Sequence, residues 1–220
     1  MNMKTIATTL IGFMLLQVSL GQEHLGSYSS SLQTLETQRV QLQERSGSEE
    51  LYSQCSDRLF QSLTKEILPA WLGTPWDFNG TSNSPKQGQI ACGYFVSTTL
   101  KHAGFNLNRY RLAQQDATTI AKAFSANNSV DRINEFDQLV LYLKKKRNAI
   151  YICGLEYHVG FIVVEEGKSY FFHSDYVNNK VVSEALEESF AMRASQVHVL
   201  AELTDNNELM KKWIHGHKIY

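Results

Sequence analysis

Four short segments in the second half of the chain constrain the fold most, because their residue types favour β-strands. Each is dominated by β-branched and aromatic side chains, and glycine or charged turns separate them. The segments are Ala149–Cys153, His158–Val164, Tyr170–His173 and Val197–Leu203. The sequence therefore predicts an antiparallel meander in this half of the chain.

Apolar residues recur at helical spacing before these segments. Five of them mark one face of a helix, and they are Leu51, Cys55, Leu59, Leu63 and Ile67. This helix should end near Pro69. Further helices are expected to run from Cys92 to Gly104, within Gln114–Phe124 and Asp131–Lys145, and at Asn207–His215. Helices followed by an antiparallel meander predict an α+β fold, with N-terminal helices packed on a central antiparallel sheet.

The N-terminus has the pattern of a secretory signal peptide. Lys4 is the only charged residue before Glu23, the stretch Ile6–Leu16 is apolar, and the small residues Ser19 and Gly21 stand where signal peptidase cleaves. The apolar run is shorter than the roughly 20 residues that span a bilayer. We therefore predict a signal peptide at residues 1–21, cleavage after Gly21, and a secreted or periplasmic protein.

Composition and charge indicate one ordinary globular domain behind this leader. The chain has 220 residues, 43% hydrophobic and 20% charged, and its 21 basic residues nearly balance 22 acidic ones. The chain lacks the excess of basic residues that would indicate nucleic-acid binding. No later segment approaches the length that spans a membrane. Residues 22–48 are interpreted as a polar linker with a helical stretch around Leu32–Leu42, and residues 49–220 as the folded domain.

Cys92 is the first candidate for chemistry. It follows a loop rich in glycine, proline and asparagine, and it begins an apolar helix. The positive end of a helix dipole lowers the pKa of a cysteine there, and the thiolate is the nucleophilic form. The alternative is a small buried hydrophobic residue, which is the commoner role of a free cysteine.

Two histidines near the strand segments are candidates for the base and its partner. His158 begins the most strand-like segment, and His173 ends the next one, with Glu165-Glu166-Gly167-Lys168 between them. A hairpin loop of two or four residues would put His173 and Asp175 on the same sheet face as His158, whereas a three-residue loop would not. Asp175 is the competing candidate for the third member.

Several segments, in order, resemble the NlpC family of papain-like cell-wall cysteine peptidases. That family typically shows Leu-Gly-Thr-Pro-Tyr, a Gly-Gly-Thr-Ser turn, Asp-Cys-Ser-Gly-Phe-Val, Leu-Pro-Arg, His-Val-Gly-Ile and Phe-Ile-His. The corresponding segments here are Leu72-Gly73-Thr74-Pro75-Trp76, Asn79-Gly80-Thr81-Ser82, Ala91-Cys92-Gly93-Tyr94-Phe95-Val96, Leu107-Asn108-Arg109, His158-Val159-Gly160-Phe161 and Phe171-Phe172-His173. The similarity covers about residues 67–175.

The resemblance implies a papain-like fold with a Cys92, His158 and His173 triad. It also suggests substrate-pocket residues, which are Trp76, Asp77, Tyr94, Arg109 and Gln114. Some positions depart from the family pattern: Ala91 and Gly93 replace the residues that usually flank the nucleophile. The helical segment around residues 131–145 is an insertion.

The implied function is a secreted cysteine hydrolase that cleaves amide bonds in peptidoglycan stem peptides, commonly between D-glutamate and a diamino acid. No cofactor or metal is expected, and the sequence identifies no inhibitor or immunity protein. Papain-like folds also include acyltransferases and catalytically silent wall-binding modules, so these alternatives stay open.

The other two cysteines have two interpretations. In an oxidising compartment, Cys55 and Cys153 could form a disulfide that joins the first helix to the sheet. The alternative is two buried free thiols.

Overall fold

The computed structural model describes residues 26–45, 49–126 and 129–220, and a six-stranded antiparallel sheet forms its centre. The strands are β1 (Asp131–Ile133), β2 (Ala149–Gly154), β3 (Val159–Glu165), β4 (Lys168–Asp175), β5 (Lys180–Ala185) and β6 (His198–Glu202). Their spatial order is β1-β6-β2-β3-β4-β5. The predicted α+β class is thus confirmed, while the predicted signal peptide lies outside the described residues.

Helices precede, interrupt and follow the sheet. They are α1 (26–43), α2 (Glu49–Ser62), α3 (Leu68–Trp71), α4 (Cys92–His102), α5 (Arg109–Ala113), α6 (Ala117–Ala123), α7 (Phe136–Leu143), α8 (Phe190–Ala194) and α9 (Asn207–Ile214). A π-helical turn, Leu63–Ile67, joins α2 to α3, and a 3₁₀ turn, Leu186–Glu188, precedes α8. The first helical run ends at Trp71, near Pro69 as predicted; Pro69 itself lies in the first turn of α3 and needs no N–H there.

Both faces of the sheet are covered. On one face, Phe95 of α4 packs edge-on against Phe161 of β3, with ring centroids 5.8 Å apart. On the other face, Leu139 and Leu143 of α7 are buried with Ile162 of β3. The predicted packing of N-terminal helices on the sheet therefore describes the first face, where α9 also packs, whereas α7 and α8 cover the second.

Residues 26–43 are helical and packed on the domain, so this part of the segment interpreted as a linker belongs to the fold. Tyr28 and Leu35 are buried in the core. The Trp71 indole N–H donates to the Tyr28 hydroxyl (3.1 Å), which lies 2.9 Å from Nδ1 of His102. The expected helical stretch around Leu32–Leu42 lies within this helix, but its earlier start and its packing on the domain were not predicted, because polar residues separate its few apolar contact positions.

The segment predicted as one helix over Asp131–Lys145 is a strand followed by a shorter helix. Its first three residues form β1, which pairs with the edge of β6, for example Asp131 with Leu200. The helix begins only at Phe136. Amphipathic spacing predicted α7 but not the pairing of the residues before it, since that pairing depends on a strand more than 60 residues later.

Cys55 and Cys153 lie on opposite sides of the sheet, so of the two interpretations the structure has the two buried free thiols and not the disulfide. Both are free and buried. Cys55 belongs to the core on the α4 side, whereas Cys153 of β2 belongs to the core beneath α7. Burial raises the pKa of the Cys55 thiol to about 11 and also raises that of Cys153. Two inert structural thiols follow from these environments.

Across the described ranges, every helix is too short or too polar to cross a membrane.

Candidate active site

A tight hairpin brings the two candidate histidines together. Glu165 pairs with Lys168, so the β3–β4 turn contains only Glu166 and Gly167, with φ values of 51° and 74°. Positive φ at both positions is typical of the two-residue turn that suits antiparallel strands. This loop length puts His158 and His173 on one face, and Nε2 of His158 lies 2.8 Å from Nδ1 of His173.

Glu184 on β5 extends this pair to three residues. Nε2 of His173 lies 3.1 Å from Oε1 of Glu184. An ionised carboxylate only accepts hydrogen bonds, so His173 carries its proton on Nε2 and accepts at Nδ1. His158 must then donate from Nε2, which leaves its Nδ1 unprotonated and able to take a proton.

Burial keeps both imidazoles neutral near pH 7. It lowers the pKa of His158 to about 3 and that of His173 to about 4, since a buried cation loses its hydration. The His173 ring contributes to the lowering at His158, while the Asp175 carboxylate opposes it at both rings. The contact between His173 and Glu184 is therefore a hydrogen bond from a neutral ring.

Asp175, the competing candidate for the third residue of the triad, stabilises the turn that follows β4 instead. Its carboxylate accepts hydrogen bonds from the backbone N–H groups of Val177 (2.9 Å) and Asn178 (3.0 Å), and from the Asn178 amide (2.6 Å). Burial alone would raise the pKa of this carboxyl, but these bonds outweigh it and lower the pKa. The geometry thus makes His173, not Asp175, the partner of His158.

Cys92 begins α4, as the sequence predicts, and the loop before it is anchored to the histidine strand. The Ser174 hydroxyl donates to the carbonyl of Ile90 (2.6 Å), and the Ala91 N–H donates to the carbonyl of Gly80 (2.9 Å). The helix starts with the bond from the Phe95 N–H to the Ala91 carbonyl (2.8 Å). Ala91 provides no side-chain cap, so the N-terminal turn stays open to a ligand oxygen.

The predicted lowering of the Cys92 pKa is wrong for the resting structure. Burial raises the pKa of this thiol, and the backbone N–H groups of Val159, Gly93 and Cys92 itself offset only part of that effect. Desolvation of a thiolate here outweighs the favourable end of the helix. The resting pair is therefore a neutral thiol with a neutral imidazole, not an ion pair.

Cys92 packs on the core beneath α4, whereas His158 and His173 contact Phe171, which belongs to the core beneath α7. Cys92 lies beside the N–H of Val159, the residue that follows His158. Within the described part of the chain, no hydrogen bond joins Cys92 to the His158 ring. Hydrogen bonds between catalytic groups often form only once substrate is bound.

Trp76 and Tyr176 form an aromatic wall beside His158. Their rings lie 6.4 Å apart, and Tyr176 lies 5.9 Å from the His158 ring. The Trp76 N–H donates to the carbonyl of Asn179 (2.9 Å), which holds the tryptophan loop against the β4–β5 turn. The structure thus connects the pocket candidate Trp76 to His158 through Tyr176.

Three other pocket candidates have structural contacts of their own. Asp77 accepts a hydrogen bond from the N–H of Asn79 (2.8 Å) and shapes the turn there. Arg109 is buried and donates to Thr98 Oγ1 (2.7 Å), and its guanidinium lies 5.6 Å from the Tyr94 ring centre. Arg109 therefore joins the start of α5 to α4, and Tyr94 packs against its guanidinium.

Gln114 is exposed at the C-terminal end of α5. Among the described residues it has no hydrogen bond to the histidine group. The structure therefore does not bring this candidate into the site.

Sequence reasoning missed Glu184, Ser174 and Tyr176. Glu184 lies on β5, a short edge strand that was not predicted, and it pairs with Phe171 in the register. The segment Lys180–Ala185 lacks the regular alternation of polar and apolar residues that would have indicated the strand. Nothing in the sequence, moreover, shows that its glutamate reaches His173, because that depends on strand pairing.

One cavity adjoins His158, and a second cavity adjoins the first. The smaller, of about 120 Å³, is bordered by His158, Tyr157 and Tyr176. The larger, of about 630 Å³, shares Glu156 and Ser195 with the first. Within the described ranges, no group of three or more histidine, cysteine or acidic side chains could hold a metal ion.

Comparison of the chain with protein-family models, with curated proteins and with solved structures finds no match.

Proposed function

We propose that the protein is a cysteine hydrolase in which Cys92 attacks an amide carbonyl. The observation that carries this proposal is the hydrogen-bonded series from His158 through His173 to Glu184, in a chain whose Cys92 begins a helix. A nucleophile beside a base that a further group orients is the general arrangement of covalent hydrolases.

The reaction begins with a neutral thiol. As the Cys92 sulfur bonds to the carbonyl carbon, its proton passes to Nδ1 of His158. The oxyanion forms at the open N-terminal turn of α4, where backbone N–H groups can donate to it. His158 then gives its proton to the amide nitrogen as the carbon–nitrogen bond breaks, leaving a thioester.

Water completes the cycle. His158 accepts a proton from the attacking water while the oxygen bonds to the thioester carbonyl, and the sulfur leaves as the thiol regains a proton. Each oxyanion donor contributes about 3 kcal/mol of transition-state stabilisation in enzymes where this was tested. The anchoring of Ile90 by Ser174 therefore matters, because it fixes the loop that enters the helix.

The resemblance to the NlpC family supports a substrate class, peptidoglycan stem peptides. The predicted signal peptide agrees with that substrate, since cell walls lie outside the cytoplasm. The proposed steps use the side chains of the site, backbone N–H groups and water, so the proposed reaction needs no cofactor.

The test is incubation of the mature chain with purified peptidoglycan, followed by mass analysis of the fragments. We expect new amine ends from the wild-type chain and a loss of at least about a thousandfold in Cys92→Ala, because the nucleophile is gone. Cys55→Ala, at a buried thiol in the helical core, is the matched control and should stay active. Wild-type activity in Cys92→Ala would contradict the proposal.

The two histidines should differ in effect. His158→Ala removes the base, whereas His173→Ala removes only its orientation, so the rate should fall further in the first variant. The same fragment assay measures both. A larger loss in His173→Ala would show that another group is the base.

A second candidate is a catalytically silent binding module. The missing hydrogen bond between Cys92 and His158, and the raised pKa of the thiol, favour it. Fragment analysis separates the candidates: new amine ends indicate a hydrolase, products with added mass indicate a transferase, and retained binding without products indicates a module.

Alkylation of Cys92 reports the state of the resting thiol. Because burial raises its pKa, we expect slow labelling by iodoacetamide near pH 6 and faster labelling only in alkaline solution. Rapid labelling at pH 6 would contradict the neutral pair and indicate a preformed thiolate.

A further inference from the structure

Arg109 is a buried cation without a carboxylate partner. It is only 4% exposed, and across the described residues no aspartate or glutamate forms an ion pair with it. A charge held away from water is costly unless hydrogen bonds replace its hydration. The groups that supply those bonds therefore show what the guanidinium holds in place.

Four neutral acceptors surround this guanidinium. Nη1 donates to Thr98 Oγ1 on α4 (2.7 Å) and to the carbonyl of Ser82 (3.2 Å). Nη2 donates to the carbonyl of Thr81 (3.0 Å) and to the Tyr110 hydroxyl (3.0 Å). A planar fork can reach all four acceptors, whereas a lysine ammonium offers its donors from a single point. Arg109 thus joins α4 to the loop that precedes it.

The two carbonyls belong to a short hairpin that leads into α4. The N–H of Ser82 and the N–H of Ala91 each donate, at 2.9 Å, to a carbonyl on the opposite segment. Residues 80–91, the entry hairpin, are therefore paired as antiparallel segments, and Cys92 follows them directly. The position of the first segment thus affects where α4 begins.

The entry hairpin has an anchor on each side. Its second segment is held by the Ser174 hydroxyl, which donates to the carbonyl of Ile90 (2.6 Å). Its first segment is held by the two bonds from Arg109. Without Arg109, the first segment would lose two hydrogen bonds from a charged donor, and bonds of this kind are stronger than those between neutral groups.

We propose that Arg109 is a positioning residue that fixes Cys92 by holding the first segment of the entry hairpin. A loose hairpin would displace both the thiol and the backbone N–H groups at the start of α4 that the proposed oxyanion needs. The effect on the rate of hydrolysis rests on the proposed function, whereas the effect on the position of the thiol does not.

Hydrogen-bond geometry, rather than charge, is the property of Arg109 that matters here. Burial raises the pKa of the Cys92 thiol, and three backbone N–H groups lower it. The charge of Arg109 is not among these causes. Arg109→Lys, which keeps the charge and loses the fork, should therefore resemble Arg109→Gln and not the wild-type chain.

Hydrogen exchange and alkylation of Cys92 test the inference on the full mature chain. In Arg109→Gln and in Arg109→Lys, we expect the Ala91 amide to exchange about tenfold faster, roughly the effect of one lost hydrogen bond to a charged group. Iodoacetamide in alkaline solution should label Cys92 faster by a similar factor, measured on the Cys92 peptide by mass spectrometry. The amides of β3 should keep their wild-type exchange rates, which shows that the loosening is local.

Arg111→Gln is the matched control, since Arg111 is an exposed arginine of the same helix whose guanidinium lies against the Tyr220 ring. Its labelling and exchange should be those of the wild-type chain. Arg109→Ala leaves room for a free guanidinium ion. Added guanidinium, at a concentration far below that which unfolds proteins, should slow the labelling of Cys92 again in this variant.

Wild-type labelling of Cys92 in Arg109→Lys would show that charge suffices, and wild-type labelling in Arg109→Gln would show that the guanidinium does not hold Cys92. Either result would overturn the inference, as would equally accelerated exchange throughout β3. If Arg109→Gln does not fold, Thr98→Val removes one acceptor of the same guanidinium and should cause a smaller change in the same direction. Unchanged labelling in that variant would also overturn the inference.

The fragment assay separates this inference from the proposed function. If the chain is a hydrolase, Arg109→Lys should lower kcat about tenfold with KM nearly unchanged, because the start of α4 moves while the rest of the site stays in place. If the wild-type chain is inactive but Cys92 is labelled as expected in the variants, the hydrolase alone is refuted.

Discussion

At the scale of single residues, Glu184 determines which nitrogen of His158 holds the proton. Its carboxylate accepts from Nε2 of His173, and this choice passes through His173 to Nε2 of His158. The unprotonated Nδ1 that remains is the form a general base requires. Glu184 is thus a positioning residue that acts through His173.

Replacing Glu184 should reduce the rate without weakening substrate binding. We expect Glu184→Ala to lower kcat about tenfold, the worth of a hydrogen bond to a charged group, with KM nearly unchanged. Glu184→Gln keeps an acceptor oxygen and should restore part of the rate. In the alanine variant, ¹⁵N NMR of the His158 and His173 imidazoles should show a lower population of the Nε2-protonated tautomer.

Ser183→Ala is the control, because Ser183 is an exposed neighbour on the same strand. A rise in KM alone, or unchanged tautomers in Glu184→Ala, would contradict the positioning role.

At the scale of secondary-structure elements, Gly93 permits the close approach of α4 and α5. A Cβ atom at this position would lie 2.4 Å from the carbonyl oxygen of Ala113. Real Cβ atoms do not come so close to backbone, so the helices would have to separate. This contact gives a physical reason for glycine at a position where the resembling family has serine.

Gly93→Ala should therefore destabilise the protein, although alanine ordinarily favours a helix. We expect about 1–3 kcal/mol less free energy of unfolding, the usual cost of overpacking, with lower activity because the start of α4 moves. Urea unfolding measures the first effect. Gly26→Ala, in the open on α1, should leave stability unchanged or slightly higher, since nothing lies within 4 Å of its Cβ.

An unchanged or increased free energy of unfolding in Gly93→Ala would show that α5 moves away from α4 at little cost. The close approach of the two helices would then not explain the glycine.

Elements with strong local patterns could be predicted from the sequence. The start of α4 at Cys92, the β3–β4 hairpin and α9 follow from helical spacing, strand alternation and turn residues. The strands β1 and β5 could not, because each is a short edge strand whose stability comes from a distant partner. The contact between Glu184 and His173 could not be predicted either, because Glu184 lies on β5.

At the scale of the whole molecule, several histidines are buried in their neutral form. Burial lowers the pKa of His102, His158 and His173 to between about 3 and 4, against an ordinary value of about 6.5. Between these values the unfolded chain binds more protons than the folded one. The free energy of unfolding must then fall as the pH drops below about 6.5.

We expect acid to destabilise the protein well above the pH at which carboxylates titrate. Each of these histidines adds up to about 1.4 kcal/mol per pH unit to the slope below pH 6.5. Urea midpoints at pH 7.5, 6, 5 and 4 measure it. His102→Gln, which removes one such proton, should flatten the curve, whereas His215→Gln, at an exposed position, should not.

A free energy of unfolding that stays constant from pH 7.5 to 4.5 would contradict this prediction.

The two-residue turn at Glu166 and Gly167 also restricts how this chain can vary in length. Adding or deleting one residue there would move His173 to the opposite side of the sheet and separate it from His158. A change of two residues would keep the pair intact. Insertions and deletions at this turn should therefore be tolerated in even steps, so the length of an otherwise unremarkable loop would record whether the histidine pair has been kept.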